Sequence, residues 1–254
     1  SSVTLKGDIV VGLNINAQDT LLILDNANIH AANINATKAD VNSSNIQAGT
    51  VNFEKSNINQ STFDVFVFKS NENGDIVDAG VLNNSTITAS NSAIFRGTSI
   101  TNTTVNSPNQ TLLSELYFNN NTINGANYLI FGRESKNGRS MAPSDYVGGQ
   151  MTGNTINSNP YFTKLYLGDS LINWESNEGQ ISGLNLNTTY LDIVVDRIDT
   201  DSAYTRGVIN DSNINANSIT VSTQKTGNNQ SRNMLQFTGG TLNVGSIYSD
   251  KVTL

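Results

Sequence analysis

A short repeat starting at Asn26 narrows the fold more than any other feature of the chain. From there the sequence runs N-A-N-I-H-A, A-N-I-N-A, A-D-V-N-S, S-N-I-Q-A, G-T-V-N-F, S-N-I-N-Q, S-T-F-D-V. Each unit is a small residue, then Asn, Asp or Thr, then a branched or aromatic apolar residue. The apolar centres are Ile29, Ile34, Val41, Ile46, Val51, Ile58 and Phe63, spaced 5, 7, 5, 5, 7 and 5 residues apart. A helix needs a 3.6-residue period and resists so many β-branched residues and Asn. Longer echoes follow. Gly80–Ala89 (GVLNNSTITA) matches Gly207–Ala216 (GVINDSNINA), and the NTIN of Asn121–Asn124 returns at Asn154–Asn157. Leu116-Tyr117-Phe118 is echoed by Leu165-Tyr166-Leu167.

Such a chain suits a parallel β-solenoid with degenerate coils of roughly 20 residues. Each unit supplies a short strand with one or two apolar side chains pointing inward. Asn and Gly turn the corners, since both tolerate the left-handed backbone. Coils stack about 4.8 Å apart, so Asn at equivalent positions can hydrogen-bond its copies above and below. That gives a purpose to the composition: 40 of the 254 residues are Asn, a residue usually depleted in strands. A pentapeptide-repeat prism fits the first third, but the seven-residue steps count against it. A globular sandwich or Greek-key fold is the remaining alternative.

Composition excludes several chemistries. There is no Cys, so no disulfide framework, thiolate metal site or cysteine nucleophile. A single His leaves no imidazole cluster. A net charge of −7 with 14 Lys and Arg argues against a nucleic-acid partner. No apolar stretch approaches the roughly 20 residues of a membrane helix, so no membrane insertion is expected. The chain opens Ser-Ser-Val-Thr with no signal-like segment, which reads as a processed chain or an excised piece. Sequons such as Asn35, Asn42, Asn84, Asn102, Asn187 and Asn210 follow from the Asn, Ser and Thr content alone and matter only in a eukaryotic secretory pathway.

The whole of 1–254 reads as one solenoid, with excursions near 65–78, 132–150 and 219–238. The first looks like a β-hairpin: Val65–Ser70, an Asn73-Gly74 turn, then Asp75–Val77. Gly132–Asp145 is a polar loop, and Ile219–Phe237 reads as strand, polar turn (Thr226–Asn229) and strand. Ser107–Ser114 suggests a helical turn.

Candidate chemistry is sparse. Asp192, Asp196, Asp199 and Asp201, around Arg197, form the densest acidic run. Grouped carboxylates on a coil face serve acid–base catalysis in β-helical carbohydrate-active enzymes, but the favoured reading is a solvated strand edge. Asp199 and Asp201 lack the glycine-rich repeat of calcium-binding solenoids. Asn71–Asp75 starts like a calcium loop without its closing Glu and reads as a turn. His30 takes a position held elsewhere by Asn35 or Gln47, so it is an ordinary polar site. Trp174, beside Glu175, offers a ring to a sugar, although a lone Trp is more often core or cap. Tyr117, Phe118, Tyr128, Phe131, Tyr161, Phe162 and Tyr166 read as core packing, with a partner-binding patch as the alternative. No catalytic, cofactor-binding or metal-binding residue is assigned.

The Asn-rich units, such as Ser56–Phe63 (SNINQSTF) and Asn84–Ala89 (NSTITA), resemble the repeats of bacterial autotransporter passenger domains, especially the vacuolating-cytotoxin-like ones. The resemblance implies a right-handed parallel β-helix, export across the outer membrane, and a role in adhesion, colonisation or self-assembly. The expected protein is therefore a non-enzymatic cell-surface or secreted adhesin, part of a longer exported passenger. Its partner would be a host-cell surface protein, a glycan or another copy of itself. A β-helical polysaccharide lyase or glycosidase, and a structural surface-layer or filament subunit, are the alternatives.

Overall fold

The computed structural model describes residues 1–71, 80–108, 110–114, 117–124, 128–131, 150–156, 161–167, 172–173, 178–196, 204–224 and 232–254. Among these the chain is all strand, with no helix. In order the strands are β1 (Ser2–Val10), β2 (Asn14–Asn42), β3 (Asn45–Asn59), β4 (Thr62–Ser70), β5 (Gly80–Asn83), β6 (Thr86–Arg96) and β7 (Thr98–Thr101). Next come β8 (Thr104–Asn106), β9 (Gln110–Ser114), β10 (Tyr117–Asn119), β11 (Thr122–Asn124), β12 (Tyr128–Phe131), β13 (Gln150–Thr152) and β14 (Thr155–Ile156). The last are β15 (Phe162–Leu167), β16 (Ile172–Asn173), β17 (Glu178–Ser182), β18 (Asn185–Asp196), β19 (Tyr204–Gln224), β20 (Arg232–Tyr248) and β21 (Lys251–Thr253). Contacts divide the chain into Ser1–Leu112 with Asn120–Ala126, and Leu113–Asn119 with Asn127–Leu254.

In the first unit each pass of the chain lies parallel to, and in register with, the next. Asn28, Asn45 and Thr62 stand opposite one another, 17 residues apart. Thr86, Thr104 and Thr122 follow at 18. The 17-residue pass is the sum of the 5, 7 and 5 steps read in the sequence, so each pass contributes three apolar centres. They stack into three columns: Ile29, Ile46, Phe63, Ile87, Val105 and Ile123; Val41, Ile58, Leu82 and Ile100; and Ile34, Val51, Phe68 and Ala93. All of these side chains are fully buried. Branched residues suit a pleated surface packed on one side, and each buried Ile or Phe contributes about 1.5–3 kcal/mol. The Phe63 ring meets Phe68 edge-on at 5.2 Å and Phe53 at 6.4 Å.

The second unit follows the same rule with longer passes. Asn185, Asn213 and Thr241 are in register 28 residues apart. Met151, Ile181, Ile209 and Phe237 form one apolar column, and Leu165, Ile193 and Val221 another. Short β16 against β17 is an antiparallel pairing.

One corner repeats in every pass. In the first unit Ser43, Gln60, Asn84, Asn102 and Asn120 have φ of 48°, 50°, 51°, 50° and 55°. In the second, Gly153, Gly183, Asp211 and Gly239 have φ of 67°, 64°, 48° and 71°. Asn and Gly fill most of these left-handed positions, as their backbone tolerance predicts. The residue after the corner points inward and forms a polar ladder. The Ala27 N–H donates to Ser44 Oγ (3.1 Å), Ser44 N–H to Ser61 Oγ (3.1 Å), and Ser61 N–H to Ser85 Oγ (3.1 Å). Ser85 N–H then donates to Thr103 Oγ1 (3.4 Å) and Thr103 N–H to Asn121 Oδ1 (2.8 Å). In the second unit Leu184 N–H donates to Ser212 Oγ (3.0 Å). The inward corner positions are thus mostly buried Ser and Thr, with Asn121 and Asn154 as amides that donate to Ile100 O (2.9 Å) and Phe118 O (2.7 Å), whereas the sequence suggested Asn throughout.

Three local expectations change. Val65–Ser70 is not a hairpin arm, because it pairs in parallel with β3 on one side and β6 on the other. Ile219–Gln224 and Arg232–Phe237 are strands, as the sequence suggests, but they pair in parallel with Leu191–Asp196 and Tyr204–Ile209, so they belong to successive passes rather than to an excursion. Gln110–Ser114 is a strand, not a helical turn. Alternating apolar residues announce a strand without naming its partner. Residues 72–79, 132–149 and 225–231, which hold the expected turns and polar loop, lie outside the described residues.

Candidate functional site

Strand alternation turns the residues beside each inward Ile or Val outward. Because passes are in register, outward residues of one kind meet their own copies. Asn33 Nδ2 donates to Asn14 Oδ1 (2.9 Å) and Asn35 Nδ2 to Asn16 Oδ1 (3.0 Å). Asn57 Nδ2 donates to Asp40 Oδ1 (3.1 Å) and Asn124 Nδ2 to Asn106 Oδ1 (2.8 Å). In the second unit Asn213 donates to Asn185 and Asn215 to Asn187, both at 2.9 Å. An amide both donates and accepts, so a row of them can be satisfied without limit. The expected Asn ladder therefore exists, on the flanks of the strands rather than at the corners.

An open groove of about 430 Å3 crosses three passes of the second unit, lined by Asn187, Thr188, Asn215, Ala216, Asn217, Asn243 and Gly245. It sits at a corner. Thr188, Ala216 and Val244 are in register before it, and Tyr190, Ser218 and Ser246 after it. Thr188 is buried and its hydroxyl lies 2.8 Å from that of Thr163, which anchors the groove wall. Past the corner, Tyr190 and Tyr161 are 41% and 61% exposed, with rings edge to face at 5.1 Å.

The residues singled out from sequence fare unevenly. Asp192 is half-buried and ion-paired with Lys164, Oδ2 to Nζ at 3.6 Å. Asp196 ends β18, while Arg197, Asp199, Asp201, Trp174 and Glu175 lie outside the described residues. His30 is exposed, in a column with Gln47 and Asp64, as its repeat position suggested. Asn71 closes β4 with φ of 58°, and its N–H donates to Phe53 O (2.7 Å). Of the aromatic group, Phe118 is buried and Tyr161 exposed, so the group is not uniformly core. Among the described residues no cluster of His, Asp or Glu could hold a metal ion, and no helix is long and apolar enough to cross a membrane.

Sequence reasoning passed over the groove. Asn187, Asn215 and Asn243 look like any other repeat Asn, and the signal available was Gly245 at a position held by Asn217 one pass earlier. No family model, curated protein or solved structure matches the chain.

Proposed function

We propose that the chain is a right-handed parallel β-helix from an exported, cell-surface or secreted protein. It acts without catalysis, in adhesion and colonisation, by presenting lateral polar columns to a host glycan or surface protein. The observation that carries this reading is the outward amide rows, Asn33 on Asn14 and Asn35 on Asn16 in one unit and Asn213 on Asn185 and Asn215 on Asn187 in the other. Side chains already held by neighbours lose little freedom when a partner arrives. With only 14% charged residues, recognition rests on hydrogen bonding more than on electrostatic steering. Parallel crossovers within a sheet are right-handed in about 98% of cases, which supports the handedness. A Cys-free chain with Asn-rich stacked passes also suits export as part of an autotransporter-like passenger.

The enzyme alternative receives no support at Asp192, whose carboxylate is taken up by Lys164. The test is an array of host glycans and surface proteins probed with the purified chain, with light scattering on the same sample. Saturable binding by a monomer is expected. No binding, together with ordered polymers, would overturn the adhesin reading in favour of an assembly subunit.

A further inference from the structure

We propose that the groove crossing β18, β19 and β20 binds a neutral oligosaccharide laid across successive passes. Asn215 and Asn243 would hydrogen-bond its hydroxyls, and Tyr190 and Tyr161 would pack against a sugar ring. This rests on the adhesin reading and gives it a ligand class and an address.

The first support is an unmade rung. Asn215 donates to Asn187 at 2.9 Å, and Asn243 stands opposite Asn215 in register, yet the amide row ends at Asn215. The Asn243 amide and the Asn215 carbonyl oxygen therefore border the groove with hydrogen-bonding capacity open to a ligand. A ligand hydroxyl, which donates and accepts, completes the row where a third amide does not.

The second support is Gly245. A Cβ there would come 2.7 Å from Asn217 O, so glycine lets the two passes close up.

The third is chemical character. All seven lining residues are neutral, so an acidic polysaccharide would find no cation to pair with. None is a carboxylate, so the acid and base of glycoside cleavage are missing from the groove and the site suits binding, not hydrolysis. Beside it, two exposed tyrosines offer apolar ring surface with polar tips, the aromatic complement to a pyranose whose C–H face is apolar and whose rim is polar. The volume falls within the range of about 300–1,000 Å3 typical of small-ligand sites.

The test is titration of the whole chain, followed by tyrosine fluorescence and calorimetry, with cellohexaose, chitohexaose, maltohexaose and, as the acidic comparison, oligogalacturonate. One or more of the neutral hexasaccharides should bind with a fluorescence change. Asn243→Ala should weaken it about tenfold, the loss of one good hydrogen bond, and Tyr190→Ala should weaken it further. Lys38→Ala, at an exposed residue of the other unit outside the amide rows, should leave it unchanged. Both groove variants sit on the surface and should keep the parent's denaturation midpoint. No neutral oligosaccharide binding at millimolar concentration, a preference for oligogalacturonate, or binding indifferent to both variants would each overturn the proposal. Adhesion to a host surface that survives both variants would sink the groove assignment and leave the adhesin reading standing. Groove binding of a free oligosaccharide without adhesion to any surface would do the reverse.

Discussion

The Ser44 N–H donates to Ser61 Oγ at 3.1 Å, and the same Ser61 hydroxyl donates to Asn59 O at 2.9 Å. One hydroxyl thus satisfies the buried corner of the pass before it and pins the corner of its own. Ser44, Ser85 and Ser212 repeat the arrangement, each donating back two residues at 2.8 Å. Removing one rung should be costly. Ser61→Ala strands the N–H of Ser44, a residue only 1% exposed, and is expected to cost about 1–3 kcal/mol in urea denaturation. Ser61→Thr, which copies Thr103, should cost far less. Equal losses would mean the hydroxyl is not the cause.

The outward amide rows should behave differently. Asn35→Ala removes a bond to Asn16 that water can replace, and its expected cost is under about 1 kcal/mol. A loss as large as that of Ser61→Ala would contradict the division between a stabilising buried ladder and a presenting outer one.

Phe63 lies where the column of Ile29 and Ile46 meets the rings of Phe53 and Phe68. Phe63→Ala should destabilise by about 3–5 kcal/mol, the range for emptying an aromatic site in a core. Phe66→Ala, three residues on and 56% exposed, should change the urea midpoint little.

Corner chemistry can be read at Gln60, a long side chain held at φ of 50°. Gln60→Asn should be neutral or stabilising, since Asn takes the left-handed conformation readily. Gln60→Val should lose about 1–2 kcal/mol. Gly80 tolerates no such exchange: at φ of 125°, a Cβ would collide with Ser56 O, so Gly80→Ala should lower the melting temperature sharply.

Much of the first unit was legible in the sequence because its inward residues must be apolar and its outward ones need not be. Ile29, Ile34, Val41, Ile46, Val51, Ile58 and Phe63 are all buried, and their spacing already contains the 17-residue pass. What stayed hidden is what depends on distant partners. Val65–Lys69 alternates the same way whether it joins a hairpin or a stack. Lys164 and Asp192 lie 28 residues apart in sequence, so their ion pair has no local signature. Ser44, Ser61 and Ser85 each follow a corner residue, a pattern visible only once the corners are known. The groove needs Asn187, Asn215 and Asn243 brought side by side, and a reading of single repeats cannot separate them from the other Asn.

The passes stack in register, so that outward residues form columns. The chain has no Cys, which makes a crosslink the most direct measurement. Asp40 and Asn57 face each other in register, with Asn57 Nδ2 3.1 Å from Asp40 Oδ1. Under mild oxidation Asp40→Cys with Asn57→Cys should form an intramolecular disulfide, mapped by mass spectrometry, because facing strands lie within the reach of about 4.4–6.8 Å between Cα atoms. Asp40→Cys with Asn59→Cys, displaced by two residues, should remain reduced. A disulfide in the second pair and none in the first would contradict the register and the polar columns built on it.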